Sequence, residues 1–219
     1  IEWCGYSYTW MAALRARINE PESALWYLKA YLRAFVLRNG FHANGDQTKG
    51  GFSSLHYHPF TLEGNFLVCA AVHEMLLQSW ATRPGSGDWG PIRFFPSMPW
   101  LWHEASFTDL VAEGGHKVSA RRENNATVWL QVTAGAAGEL RIRDNFEGRI
   151  PQWNRIDFLI SGDDIVFTVE TGDVIEATLP KPAKIPAEPS SLPAPVDGWH
   201  EGVPIAPKDP GIPMMNDQQ

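Results

Sequence analysis

The sequence has little cysteine, no long apolar run and no concentration of positive charge, and each shortage removes a class of protein. Its 219 residues hold two cysteines, Cys4 and Cys69. That is too few for a disulfide framework, and the CxxC spacing of redox and zinc sites is absent. One disulfide between them is open, and two free, buried thiols are the reading preferred. No stretch reaches the roughly 18 apolar residues of a membrane span. The net charge of −7, without a basic cluster, argues against a nucleic-acid binder. No phosphate loop, dinucleotide fingerprint or Ser-His-Asp spacing occurs, and no cofactor is expected. The first residues lack a signal-peptide pattern. Ile1-Glu2-Trp3-Cys4-Gly5-Tyr6 reads instead like the inside of a domain, so a fragment or processed subunit of something longer is expected.

What is present is aromatic residues, 10 Trp and 11 Phe among them, and two different periodicities. Residues 1–90 read as helical. A first helix is expected over Tyr6–Ile18, with Trp10, Leu14 and Ile18 on one stripe. Asn19 can cap a second helix, with Pro21 in its first turn. Ala24, Leu25, Leu28, Leu32, Phe35 and Val36 then recur at helical spacing up to the stop Arg38-Asn39-Gly40. A long loop rich in Gly, His and Asn follows, and such loops are usually functional. A third helix begins near Asn65, carries Phe66, Ala70, His73 and Leu76, and ends at Arg83-Pro84-Gly85. Residues 84–105 read as irregular and rich in Pro and Trp, and beyond them, within a β domain expected over 91–179, the period becomes two. Strands are expected at Thr108–Ala112, His116–Glu123, Thr127–Thr133, Glu139–Arg143, Asp157–Ile160, Ile165–Glu170 and Val174–Leu179, with Asn124-Asn125 as a tight turn. Residues 180–219 hold most of the 17 prolines and read as an extended tail. The fold class expected is α+β.

The chemistry concentrates in the loop and the start of the third helix. Glu63, preceded by His56, Tyr57 and His58 and followed by Asn65, is placed for proton transfer. Each residue has a plainer reading. Glu63 also suits a helix first turn, where the dipole favours an acid. The histidines also suit loop packing, and His-x-His without a third ligand is a poor metal site. Asn65 is either a helix cap or a partner of Glu63. Trp3, Tyr8 and Trp10 either line a sugar site or pack in the core.

These residues resemble glycoside hydrolase family 95, the α-L-fucosidases and α-L-galactosidases. The likeness runs over about residues 3–145 and rests on a series of motifs. Gly5-Tyr6-Ser7-Tyr8-Thr9-Trp10 and Gly50-Gly51 come first. His58-Pro59-Phe60-Thr61-Leu62-Glu63-Gly64-Asn65-Phe66 is followed by Glu74-Met75-Leu76-Leu77-Gln78-Ser79. Phe94-Phe95-Pro96-Ser97-Met98-Pro99 and the run Asp109–Ala120 continue it. The resemblance implies part of an (α/α)6 toroid followed by an antiparallel β-sandwich. It also implies inverting hydrolysis of a terminal sugar such as α-L-fucose or α-L-galactose. Glu63 stands where that family carries Asp on the base side, and Tyr57 where it carries His. His56, His58, Asn65, Tyr57 and Trp10 would contact the carbohydrate substrate. The general acid would come from an N-terminal segment or a partner chain, and a secreted or periplasmic location is implied. The alternative is a non-catalytic structural or carbohydrate-binding subunit of a larger assembly.

Overall fold

The structure, a computed structural model, describes residues 2–81, 89–143 and 145–180. Three helices come first: α1 (Gly5–Arg17), α2 (Pro21–Ala34) and α3 (Glu63–Leu76). They enclose a core of Tyr8, Ala12, Ala16, Ala24, Leu28, Tyr31, Phe35, Ala71 and Met75. Among the described residues ten strands follow: β1 (Leu77–Gln78), β2 (Arg93–Phe94), β3 (Ala105–Val111), β4 (Lys117–Glu123), β5 (Ala126–Thr133), β6 (Gly138–Arg143), β7 (Gln152–Trp153), β8 (Phe158–Ser161), β9 (Asp164–Val169) and β10 (Val174–Thr178). A five-stranded sheet runs β3-β4-β5-β10-β7 and a three-stranded sheet runs β6-β9-β8, all pairs antiparallel. Inward residues of both sheets, among them Val118, Leu130, Val132, Leu140, Ile142, Phe167 and Ile175, share one apolar cluster. The architecture is α+β. The expected stop Arg83-Pro84-Gly85 and tail residues 181–219 lie outside the described residues.

The seven expected strands appear within a few residues of their sequence bounds, because alternation and turn chemistry agree there. Asn124 and Asn125 both take positive φ, 50° and 65°, as a tight hairpin of this hand requires. The helices needed more correction. α2 ends at Ala34 and not at Gly40. Val36 instead bridges His42 across a small turn, closed by Leu37 N–H on the Phe41 carbonyl and Gly40 N–H on the Leu37 carbonyl. Asn19 does not cap α2. It takes positive φ in the turn, and Pro21 opens the helix after Glu20.

The apolar stripe of α1 faces outward. Trp10 is 52% exposed and Ile18 62%, while Ala12 and Ala16 are fully buried. Small residues let α1 approach its neighbours closely, and the large side chains are left on the open side. Both cysteines are free as expected, but Cys69 is exposed and Cys4 half-buried.

β1 and β2 tie the helices to the sheets. Leu77 pairs with Phe94 directly after α3. Ile92, just before β2, bridges Ile142 of β6, through Ile92 N–H on the Arg141 carbonyl and Arg143 N–H on the Ile92 carbonyl. This stitch brings basic side chains of β2 and β6 close to the helices.

Candidate functional site

The loop between α2 and α3 is organised by Asp46, which is almost fully buried. Its carboxylate accepts the Thr48 hydroxyl at 2.6 Å, Thr48 N–H at 2.9 Å and Phe52 N–H at 3.1 Å. Burial works to raise its pKa, but these bonds and one from the Ser53 backbone hold it below the usual carboxylate range. The two arms of the loop then zip together. Asn44 N–H reaches the Pro59 carbonyl, Gly45 N–H that of Tyr57 and Asp46 N–H that of Leu55. At Gly45 a Cβ would lie 2.5 Å from the Tyr57 carbonyl oxygen, so only glycine admits this pairing.

At the base of the loop sits His42, a residue the sequence pattern did not single out. It is fully buried against the Tyr31 ring, with centroids 5.6 Å apart. Its ring is clasped between two helical glycines. A Cβ on Gly5 would lie 2.4 Å from Nε2, and one on Gly64 2.6 Å from Nδ1. Nδ1 lies 3.2 Å from the Thr61 carbonyl and 3.0 Å from the Thr61 hydroxyl. A carbonyl can only accept, so the proton sits on Nδ1, and Nε2 is left as a buried lone pair without a partner among the described residues. Burial pushes the imidazole below its ordinary value, so it is neutral.

Glu63 is the first residue of α3 and its side chain faces solvent. Its own backbone N–H and the Thr61 hydroxyl, with a smaller contribution from His42, hold its carboxyl below the usual range. At neutral pH it is therefore an acceptor, suited to receive a proton from water or a sugar hydroxyl and unsuited to donate one.

The structure thus brings together His42, Thr61 and Glu63. Asn65 joins them differently from either expectation. The cap position of α3 is Leu62, with no side-chain cap bond. The Asn65 amide oxygen accepts His42 N–H at 2.8 Å, and its nitrogen donates to the Gly40 carbonyl at 2.8 Å. It braces the loop that holds His42. His56, Tyr57 and His58 are all exposed on the far arm. His56 Nδ1 lies 3.2 Å from the Asp46 carbonyl, and His58 Nδ1 pairs with Gln47 Oε1. Trp10 lies on the outward face of α1 and has no ring partner among the described residues, whereas Trp3 and Tyr8 stack edge to face at 5.6 Å over the helical core. Among the described residues no group of three His, Cys, Asp or Glu side chains is arranged to hold a metal.

Asp46 carried a local signal: an Asp followed two residues later by Thr is an Asx-turn pattern. His42 carried none, because its setting is made by glycines on two other elements. No protein-family model matches the chain, and no curated protein matches it.

Proposed function

We propose that this chain is the C-terminal portion of an inverting exo-glycoside hydrolase of the family 95 kind, with Glu63 as the base-side carboxylate. The observation that carries this reading is the Glu63 carboxylate itself, ionised and open to solvent at the first turn of α3. Thr61, fixed by neutral His42, orients it, and His56, Tyr57 and His58 stand on the exposed arm of the same loop as contacts for sugar hydroxyls. In this reading the helices are part of an (α/α) toroid and the two sheets form a β-sandwich.

An inverting mechanism needs a second carboxyl roughly 6.5–9.5 Å from the first. Asp46, the loop's other acid, is buried and fully occupied by donors. As the family resemblance implies, the general acid in this reading would come from an N-terminal segment or partner chain, which would also cover the outward stripe of α1. The test is an assay of the complete protein on aryl α-L-fucoside and α-L-galactoside. Glu63→Gln is expected to lower kcat by about 10²–10⁴-fold, as loss of a positioned base does. Full activity in that variant removes Glu63 from the chemistry.

A non-catalytic reading has its own support. An acid in the first turn of a helix whose cap residue is leucine is favoured by the helix dipole with no chemistry attached. Binding of a sugar by the complete protein without turnover would favour that reading.

A further inference from the structure

The chain carries a net charge of −7, yet Arg17, Arg93, Arg122 and Arg143 converge on one cavity of about 590 Å³. The cavity opens at the stitch between the helices and the sheets. Among the described residues its lining has a single carboxylate, the exposed Glu147. Like charges repel, so bringing them together costs free energy unless something answers it.

Two of the arginines are answered internally. Arg17 makes a two-pronged pair with Glu74, at 2.6 and 3.2 Å, and Arg143 pairs with Asp164. The other two make no ion pair among the described residues. Arg93 donates to the carbonyls of Trp80 and Pro91; burial first, and then Arg143, work against its charge, while Asp164 and Glu113 lie near enough to favour it without bonding to it. The Arg122 side chain has no hydrogen bond or ion pair among the described residues and its Nε is buried without a partner; burial disfavours its charge, and the nearby Glu147 favours it. It sits where β4 slips by one residue against β5, between Arg121 and Arg122, and such bulges commonly re-aim side chains at sites.

The cavity is also built to stay in shape. Trp80 holds the Arg93 guanidinium 4.5 Å from its ring centroid and that of Arg17 5.9 Å from it. Its indole N–H donates to Gln78 Oε1 at 3.1 Å. The buried Gln78 in turn donates to the carbonyls of Ala16 and Glu74. Asn145, also in the lining, donates to the Phe94 carbonyl, and its own oxygen is buried without a partner among the described residues.

We infer that this cavity is an oxyanion-binding site for a small molecule carrying a carboxylate, sulfate or phosphate, with Arg122 and Arg93 as its principal donors. Guanidinium suits such groups because its planar N–H fork matches two oxygens at once. The cavity is much larger than a bare oxyanion and lies in the range of small-molecule sites. A ligand that fills it carries a body of some size beside the anion, for which a sugar acid or sugar phosphate is a suitable probe. None of the residues involved belongs to the Glu63 loop, and the inference stands whether or not that loop is catalytic.

The test is titration of the chain, by calorimetry or NMR, with D-glucuronate, glucose 6-phosphate, inorganic phosphate and, as the uncharged reference, glucose. At least one of the anions is expected to bind about tenfold or more tightly than glucose, and to weaken as salt is added. A response to glucuronate alone assigns a carboxylate, and a response to the phosphates alone assigns a phosphate; either supports the site. Arg122→Gln is expected to cost about tenfold in affinity or more, with Arg122→Lys between it and the native chain. Glu147→Gln, which removes the one carboxylate among the described lining residues, is expected to tighten binding a few-fold. Equal binding of glucose and the anions overturns the inference. Silence of all four probes, or unchanged affinity in Arg122→Gln, does so equally. If Arg122→Gln does not fold, an unchanged affinity in Glu147→Gln overturns it.

Discussion

At the residue scale, His42 and His116 set how stability responds to mild acid. Burial holds both imidazoles below the ordinary value of 6.5. His116 accepts Gly135 N–H on Nδ1, so its proton is on Nε2, buried without a partner. The unfolded chain takes up protons below pH 6.5 that the native state refuses, so the contribution is complete above that value and is lost as pH falls below it. Asp46 and Glu63, also held low, have ordinary values of 3.8 and 4.5 and act in a lower window. The interval between about 6.5 and 4.5 therefore belongs to the histidines. The urea midpoint is expected to fall between about pH 7.5 and pH 5. The fall should be smaller in His116→Asn, measured against that variant's own midpoint at the higher pH. A midpoint flat across this interval would refute the assignment of buried, neutral rings.

At the element scale, the sequence was legible where local chemistry alone decides. The strands β3 to β6 and β8 to β10 followed their alternation, and the Asn124-Asn125 turn followed from residues that tolerate positive φ. β1, β2 and β7, two residues each, are too short for any period, and they exist because a neighbouring element offers an edge. The end of α2 was misplaced because Val36 finds a partner in His42, a contact invisible in helical spacing. The same limit hid the centre of the candidate site. Glu63 and its loop could be read from the chain, but His42 owes its position to Gly5 on α1 and Gly64 on α3.

That dependence can be measured. Alanine in a helix is worth about 1 kcal/mol over glycine when the site is open. At Gly5 and Gly64 the new methyl would meet an imidazole pinned by Thr61, and at Gly5 also the Phe35 Cβ at 2.7 Å. Gly5→Ala and Gly64→Ala are expected to destabilise by about 1–3 kcal/mol, the usual cost of overpacking. Chemical denaturation gives the sign directly, and a gain in stability in either variant would show that the clasp is loose.

At the scale of the whole molecule, the helical part is unequally covered. Its inner side is closed by alanines and aromatics, while Tyr6, Trp10, Leu14 and Ile18 follow one another along the open side of α1, and on α3 Phe66 is 68% exposed. Single exposed apolar residues are ordinary on a protein surface, but a row of four on one helix is the kind of patch that associates. The two sheets share an apolar cluster of their own, with Leu76 of α3 packed on it, and β8 exposes Leu159 and Ile160 at 74% and 75%. In water the chain is therefore expected to self-associate through α1, visible as a concentration-dependent rise in sedimentation coefficient. Trp10→Asp combined with Ile18→Asp should shift it toward the monomer. Because both side chains lie outside the core, the thermal midpoint should change little, within the roughly 0.5 kcal/mol typical of surface substitutions. Monomeric behaviour of the unaltered chain at high concentration would mean that this face is satisfied by water alone. A large loss of stability in the double variant would mean that it packs against other parts of the same chain.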